Sequence, residues 1–432
     1  MRVLVTGGYG LIGSAVVARL LRSGHRVRAT GRDVRAASIR RPDVEWHRSD
    51  FTRQTLPQDW REILDGVDAV VNCVGILDSS TGEDIRDVQV RATVALFQAC
   101  EAAGVRRVIH FSAVGVNCEQ PSNFSSTKVE ADRALAATGL DWVILRPSVG
   151  LGRGVYGASA LMRGIAGLPG VVPVMPDTAP LQVVQLDDVT ETVDFFLRTD
   201  APARQTLELV GPERLTFTEV VLQLRVWLGL PKPRFLPVPR WFAKAAYAAG
   251  DFAAALGWRP PVRMAAAREM RRGAVGDPAE WTHVTGIEPQ PLSATLAASS
   301  ASVQDVWFAR LYFLKPLALV VLSAFWVATG VLALTAGYGY GDALMEEGGV
   351  GPLMSTLAIV GGGILDIAIG AGIAIRRTSR AALWTSVGIA VLYAIIGTVL
   401  VPRLWADPLG PMLKIWPVIV LTFFTLAIRS DR

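Results

Sequence analysis

Four long apolar stretches fill the C-terminal part of the chain and constrain its fold more than any other sequence feature. They run roughly over residues 314–336, 353–375, 381–401 and 412–428. Each stretch is close to the ~20 residues that a helix needs to cross a bilayer. One such stretch would also fit a buried helix of a soluble protein, but four in succession predict a four-helix transmembrane bundle.

The composition agrees with a membrane-embedded part. Hydrophobic residues make up 51% and charged residues 19% of the 432 residues, which is more apolar than is usual for a soluble protein. The apolar excess begins near residue 310, and the part before it has the mixed pattern of a globular α/β domain. The net charge of +5 does not come from a block of Lys and Arg interleaved with aromatic residues, so we expect no nucleic-acid partner.

Basic residues are distributed unequally among the connections between the apolar stretches. Three arginines lie within residues 376–380, and Arg429 and Arg432 follow the last stretch, whereas residues 342–347 carry three acids. Connections rich in Lys and Arg stay in the cytoplasm. We therefore expect a multi-pass protein of the cytoplasmic (inner) membrane. Its N-terminal domain and C-terminus should be cytoplasmic, and the lipid bilayer should be a partner.

The cysteines and histidines indicate neither disulfides nor a metal. Cys73, Cys100 and Cys118 are odd in number and widely spaced, which is typical of a reducing compartment and not of a disulfide framework. The four histidines are scattered, and the spacing of Cys and His does not match that of a metal site.

Short apolar strands alternate with amphipathic helices in the first 150 residues. The pattern predicts strands at 2–6, 26–30, 44–47, 69–74, 108–111 and 142–145, with a late strand at 183–186. This alternation predicts the α/β class with a doubly wound parallel sheet. Residues from roughly 150 to 302 are less regular and richer in proline, as expected of a small substrate lobe. We therefore expect one α/β domain over 1–302 and a four-span membrane domain over 303–432.

A glycine-rich turn lies between the first strand and the first helix. Its glycines, Gly7, Gly10 and Gly13, have the spacing G-x-x-G-x-x-G. Glycines permit a tight turn and a close approach of the backbone to a pyrophosphate, which the N–H groups at the helix N-terminus can bind. This context predicts a Rossmann-type dinucleotide site. The expected contacts come from Gly7, Tyr9, Gly10, Leu11, Ile12 and Gly13.

The end of the second strand bears on the choice of cofactor. NAD sites usually place a carboxylate there for the ribose hydroxyls, and NADP sites place an arginine near the 2′-phosphate. Gly31 occupies the position of the acid and Arg32 follows it, which favours NADP(H) over NAD(H), although Asp33 would suit NAD. Asp50, after the third strand, fits either a contact to the adenine amine or the cap of a turn.

These motifs resemble the atypical, extended branch of the short-chain dehydrogenase/reductases over roughly residues 1–300. Besides the glycine turn, the resemblance rests on Asp50, Asn72 to Gly75, Ser112, Lys128 and the Arg146-Pro147-Ser148 run. The run 111–115 is similar to the group that contains the NADPH-binding accessory subunit of respiratory complex I. The resemblance implies cofactor contacts from Asp50, Asn72, Gly75, Lys128 and Pro147. In the membrane part, residues 405–411 and Lys414 resemble the DoxX-like family.

The chain departs from the reductases at their active site. In that family a Tyr-x-x-x-Lys pair lies on one helix face, where the tyrosine transfers the proton and the lysine holds the nicotinamide ribose. Here Lys128 is present, but Phe124 replaces the tyrosine. Val114 falls where many extended relatives place a catalytic serine. The resemblance therefore leaves Lys128 and Ser112 as catalytic candidates, and Ser112 fits equally well as the cap of a strand end.

Two functions remain open at this stage. The family and the membrane part favour a membrane-anchored NADP(H)-dependent oxidoreductase that acts on a quinone or another lipid-soluble compound. Phe124 and the likeness to the complex I subunit favour a catalytically silent NADPH-binding protein that assembles with a membrane respiratory complex. Asp366 lies inside the second apolar stretch, and a carboxylate there is a functional candidate because its burial in a bilayer is costly.

The residues after the second strand predict a measurable cofactor preference. NADPH should bind more tightly than NADH, because Arg32 can hydrogen-bond the 2′-phosphate that NADH lacks. Arg32→Ala should remove much of this difference. Titration of the purified protein with both cofactors measures it, and equal affinities in the unaltered protein would contradict the prediction.

Overall fold

The computed structural model describes residues 1–77, 79, 84–117 and 122–429, so that Cys118 and Arg432 lie outside the described residues. The described chain forms two compact units. The first comprises Met1–Asp251 and Pro260–Ala309, and the second comprises Phe252–Arg259 and the residues from Arg310 onward. The division of residues 1–302 into a nucleotide-binding part and a substrate lobe stays a prediction.

Among the described residues, a sheet of seven parallel strands forms the centre of the first unit. The strands are β1 (Arg2–Thr6), β2 (Arg26–Gly31), β3 (Glu45–Arg48), β4 (Ala69–Asn72), β5 (Arg107–Phe111), β6 (Asp141–Pro147), β7 (Val149–Leu151), β8 (Val171–Val174), β9 (Val183–Gln185), β10 (Gln205–Leu209) and β11 (Arg234–Pro237). The sheet has the order β10-β6-β5-β4-β1-β2-β3. The predicted doubly wound α/β class is confirmed.

The order of the strands reverses between β1 and β4. In open parallel sheets, ligands bind in the crevice at such a point, outside the carboxyl ends of the strands. Thr6 at the end of β1 is paired with Asn72 at the end of β4. The glycine turn after β1 and the loop after β4 therefore start side by side at this edge.

Helices pack on both faces of the sheet. The helices up to Leu311, not all of which contact the sheet, are α1 (Leu11–Arg22), α2 (Val34–Arg40), α3 (Arg61–Leu64), α4 (Ala92–Ala102), α5 (Asn123–Ala136), α6 (Ala158–Ala166), α7 (Leu186–Phe196), α8 (Phe217–Trp227), α9 (Arg240–Ala255), α10 (Met264–Arg272), α11 (Ala279–Thr285), α12 (Leu292–Ala297) and α13 (Val303–Leu311). Val3 and Val5 join an apolar cluster with α1 and α7, whereas Leu4 joins a cluster with α4 on the other face. Burial on both faces explains why β1 is a continuous apolar run.

Five strands depart from the sequence-based expectation. The sequence pattern does not predict β7, β8, β10 and β11, of which β10 pairs with β6 and extends the main sheet. The late strand predicted at 183–186 is present as β9, but it pairs with β7 in a separate two-stranded sheet. The local pattern therefore predicts β1 to β6, whereas it does not predict most of the later strands or the partners of β9.

The second unit contains the apolar helices. They are α14 (Leu314–Leu334), α15 (Tyr338–Glu347), α16 (Pro352–Ala374), α17 (Ser379–Leu400) and α18 (Ile415–Ile428). Within the described residues, α14, α16 and α17 are long and apolar enough to cross a membrane. The predicted fourth span is present as α18, but its 14 residues make it shorter than the ~20 that a span needs. α14 and α16 pack closely, because a Cβ at Gly330 would lie 2.4 Å from the Gly363 carbonyl oxygen, an approach that small residues permit.

Asp366 lies in α16 and is buried in this bundle. The Tyr393 hydroxyl of α17 donates a hydrogen bond to its Oδ1 over 2.9 Å. The carboxyl group therefore has a hydrogen-bond partner on a neighbouring helix, and a functional role for Asp366 stays a prediction.

The arginine asymmetry predicts which connections face the cytoplasm, and the structure shows which positions a thiol reagent can reach. Gly339 and Thr378 are both exposed, whereas the adjacent Ser379 is buried. In intact cells, an impermeant maleimide should label Gly339→Cys from outside. It should label Thr378→Cys only after the membrane is opened. Labelling of Thr378→Cys in intact cells would refute the orientation.

Candidate cofactor-binding and active site

The glycine turn brings the start of α1 directly against the end of β1. Gly7 has a φ of +66°, and its carbonyl oxygen accepts a hydrogen bond from the Gly10 amide over 2.8 Å. A Cβ at Gly13 would lie 2.2 Å from that same oxygen, so position 13 can only be glycine. Gly10 caps α1 without a side chain, and the amide groups of the first helical turn have no carbonyl partner within the helix. This end of α1 can therefore bind an anion.

Tyr9 occupies the space that an acid after β2 would need. A Cβ at Gly31 would lie 2.0 Å from Tyr9 Cε1. The Arg32 amide donates a hydrogen bond to the Tyr9 hydroxyl over 2.9 Å, which fixes the ring over the strand end. A side chain at position 31 would therefore have to displace the Tyr9 ring. The exposed Arg32 follows directly in the sequence.

Asp50 and Asn72 both use their side chains to hold local structure. Asp50 Oδ1 accepts hydrogen bonds from the Thr52 amide and hydroxyl over 3.1 and 2.8 Å, which is the turn-capping role that the sequence left open. Asn72 is buried, accepts a hydrogen bond from the Thr6 hydroxyl over 2.6 Å and bonds His110 Nδ1 over 3.1 Å. Contacts from Asn72 to a cofactor would therefore come from its backbone.

Lys128 is buried between the loop after β4 and the end of β5. Lys128 is only 4% exposed. Its Nζ donates a hydrogen bond to the Phe111 carbonyl oxygen over 2.7 Å. A Cβ at Gly75 would lie 3.2 Å from Nζ, so Gly75 leaves the room that the ammonium group occupies. Burial lowers the pKa of Lys128 to about 8, although Asp132 and Cys73 act in the opposite direction. Lys128 is therefore not a solvated helix lysine.

Ser112 belongs to a buried polar network beneath Lys128. Its hydroxyl donates a hydrogen bond to Asp132 Oδ2 over 2.9 Å. Arg146 donates to the same oxygen over 2.9 Å from Nη2 and 3.2 Å from Nε. His110 lies on the other side of this carboxylate, 3.7 Å away, and burial holds its pKa well below its usual range. The hydroxyl of Ser112 thus anchors the end of β5 to α5.

A small cleft lies beside Phe124, the residue at the tyrosine position. Its volume is about 240 Å³. Both apolar and charged side chains line the cleft, among them Leu77, Phe124, Asp251, Arg263, Met264 and Glu269. Val114, at the position of the usual serine, is buried, and its amide donates a hydrogen bond to the Pro147 carbonyl oxygen over 3.1 Å. Neither of these two positions offers a hydroxyl group.

An ion pair that the sequence did not reveal borders both altered positions. Arg272 contacts Glu269 over 2.7 Å, donates a hydrogen bond to the Ser125 hydroxyl and reaches the Val114 carbonyl oxygen over 3.4 Å. Glu269 in turn accepts a hydrogen bond from the Ser122 hydroxyl over 2.7 Å. A guanidinium group can stabilise an oxyanion, but it does not give up a proton at ordinary pH.

Comparison with known families agrees with this geometry. Residues 7–151 match a family described as NAD(P)H-binding, and residues 323–423 match the DoxX-like family. The first unit therefore contains an NAD(P)H-binding domain over residues 7–151, which is similar to the short-chain dehydrogenase/reductases. The C-terminal part is a DoxX-like membrane domain, and both resemblances expected from the sequence are confirmed.

Curated relatives match the N-terminal half of the chain. Sterol demethylase protein B of Methylococcus capsulatus is 28% identical over 268 residues, which cover 56% of this chain and 78% of that protein. A photosystem II assembly factor of Synechocystis is 27% identical over 232 residues, covering 51% and 66%. Ceramide reductase of Caulobacter vibrioides is 26% identical over 238 residues, covering 55% and 73%.

Solved structures share the fold of the first unit. UDP-N-acetylglucosamine 4-epimerase from Bacillus cereus superposes with a TM-score of 0.51 at 17% identity. The match covers 68% of this chain and 93% of the epimerase. At this identity the likeness concerns the fold alone.

The network beneath Lys128 predicts a large effect of Asp132 on stability. Asp132→Ala would leave the Ser112 hydroxyl and the Arg146 guanidinium without their acceptor. Because removal of one partner from a buried ion pair typically costs about 3–5 kcal/mol, the thermal midpoint in detergent should fall markedly. The control is Asp87→Ala, which removes an i,i+4 pair with the exposed Arg91 and should cost about 0.5 kcal/mol or less. Equal losses in the two variants would show that the network does not stabilise the domain.

Proposed function

We propose that this protein is a membrane-anchored NADP(H)-dependent oxidoreductase that transfers hydride to a lipid-soluble acceptor such as a quinone. The observation that carries this proposal is the combination of a buried Lys128 with Phe124 on the same face of α5. A lysine stands at the position of the ribose-binding lysine of the reductases, and position 124 carries no phenol to protonate ordinary carbonyl substrates.

The preference for NADP(H) rests on the end of β2. Tyr9 fills the space beside Gly31, so a carboxylate for the ribose hydroxyls would have to displace its ring. Arg32 follows immediately and is exposed, as required of a group that would bind a 2′-phosphate. The fixed ring of Tyr9, through its bond to the Arg32 amide, would hold this arginine at the edge of the adenosine site.

A quinone-like acceptor suits a site without a phenol. Reduction of a quinone by NADPH moves one hydride to the ring, and one proton from water completes the hydroquinone while NADP⁺ is released. This proton can arrive through water or another side chain and does not require a tyrosine. The names of two relatives, a sterol demethylase protein and a ceramide reductase, also support a lipid as the substrate class.

The second candidate function is that of a catalytically silent NADPH-binding assembly protein of a membrane complex, including a respiratory complex. The absence of a hydroxyl group at positions 114 and 124 favours it. So does the similarity to a photosystem II assembly factor. The two candidates agree on cofactor binding and differ only in whether NADPH is oxidised.

Phe124→Tyr tests whether α5 lacks only the general acid for carbonyl reduction. A general acid typically contributes about 10²–10⁴-fold in rate, and the variant would place a phenol four residues before Lys128. The unaltered protein should reduce simple aldehydes and ketones very slowly, and Phe124→Tyr should accelerate this reaction. Phe195→Tyr, at a partly buried position outside the site, is the matched control. Fast carbonyl reduction by the unaltered protein, with no change in Phe124→Tyr, would show that another group supplies the proton.

Lys128→Ala tests the binding role of the lysine. Because its ammonium group lies at the ends of β4 and β5, its removal should weaken NADPH binding with either Phe or Tyr at position 124. Isothermal titration measures the affinities, with Lys244→Ala as the control for loss of an exposed lysine. Unchanged affinity in Lys128→Ala would mean that Phe124 is a core residue of a helix that does not face the cofactor.

A further inference from the structure

The helix α9 presents an apolar face outward. Trp241 and Phe252 are 71% and 67% exposed, and the exposed Ala245 and Ala248 lie between them. These four positions follow the spacing i, i+4, i+7 and i+11, which places them on one stripe of the helix. An exposed helix face in water is normally polar, so this apolar stripe is suited to contact with a less polar surface than water.

Aromatic and basic residues flank this stripe. Phe242 of α9 and Leu236 of β11 are also exposed. The exposed cations beside them are Lys232, Arg234, Lys244 and Arg240, of which Arg240 is paired with Asp177 over 2.9 Å. Between residues 231 and 255 the sequence contains one acid, Asp251, and it is paired with Arg263 over 3.0 Å. Aromatic residues next to a surplus of positive charge are typical of helices that lie in the interface of anionic membranes.

The C-terminal end of α9 is attached to the end of a membrane span. The Arg376 amide donates a hydrogen bond to the Leu256 carbonyl oxygen over 3.1 Å. Trp258 Nε1 donates to the Ala374 carbonyl oxygen over 2.7 Å. Ala374 is the last residue of α16, and the arginines after it are expected at the cytoplasmic surface of the bilayer. One end of the apolar stripe is therefore held at the level of the headgroups.

We propose that α9 and the preceding β11 form a membrane-docking face that inserts into the cytoplasmic leaflet. Trp241, Ala245, Ala248 and Phe252 would enter the boundary between headgroups and acyl chains, about 5–10 Å deep as is usual for interfacial helices. Lys232, Arg234 and Lys244 would contact anionic headgroups. Because Asp251 lines the cleft beside Phe124, the docking face and the cleft share this helix. The proposal itself does not depend on whether the site is catalytic.

Spin labels on the full-length protein test the proposal. In a background with its three cysteines replaced by alanine and NADPH binding verified, Ala245→Cys and Ala248→Cys carry the label. The controls are Ile39→Cys and Val226→Cys, at apolar positions of α2 and α8 that are 77% and 69% exposed. The protein is reconstituted into vesicles of phosphatidylcholine with or without phosphatidylglycerol. Accessibility to oxygen and to a water-soluble nickel chelate is then measured.

The proposal predicts a ratio of oxygen to nickel accessibility several-fold higher at positions 245 and 248 than at both controls. Phosphatidylglycerol should raise the ratio at positions 245 and 248, and Lys244→Glu should reduce that gain. Control-like ratios at positions 245 and 248 would overturn docking to lipid and would indicate a face for another protein. A high ratio that ignores phosphatidylglycerol would overturn the role of the cations.

Discussion

The contact between the first turn of α1 and the end of β1 sets the geometry on which the cofactor site depends. Gly13 has no room for a side chain beside the Gly7 carbonyl oxygen, so the helix begins at the carboxyl edge of the sheet. Its unpaired amide groups then point into the crevice between β1 and β4. The loop after β4 and the end of β5 border the same crevice, where Lys128 is held. The anion-binding part of the cofactor site is therefore formed by backbone packing and does not require a charged side chain.

The chemistry of the site is separated from this binding scaffold. Asp132 ties Ser112 and Arg146 together beneath Lys128. Burial disfavours the charged form of the lysine, and the Asp132 carboxylate favours it. The positions that usually transfer a proton, 114 and 124, carry Val and Phe instead. A domain of this design keeps the ability to bind a reduced nicotinamide and loses the usual acid for carbonyl reduction. Fusion to a DoxX-like membrane domain puts such a site on the same chain as helices that are long and apolar enough to cross a membrane.

Local pattern predicted the features that depend on neighbouring residues. The glycine turn, the strands β1 to β6 and the apolar helices follow from spacing and hydrophobicity alone. Contacts between distant residues could not be read in this way. The bond between Arg272 and Ser125 joins positions 147 apart, and the space beside Gly31 is filled by the Tyr9 ring from another loop. Ser112 and Asp50 were correctly recognised as polar residues at strand ends, but only the structure shows that their side chains serve local anchoring.

The most direct test of the central claim is to follow the hydride itself. NADPH that carries deuterium at the transferable C4 position is incubated with the full-length protein in its own membranes, and the lipid extract is examined by mass spectrometry. A lipid-soluble acceptor predicts that a reduced compound accumulates in the extract with one NADP⁺ formed per acceptor reduced. Deuterium should remain in that compound where the hydride goes to carbon, and it exchanges into water where the product carries it on a hydroxyl. NADPH that binds tightly and stays unoxidised in the presence of the complete lipid extract would contradict this account and identify a silent, cofactor-binding assembly protein.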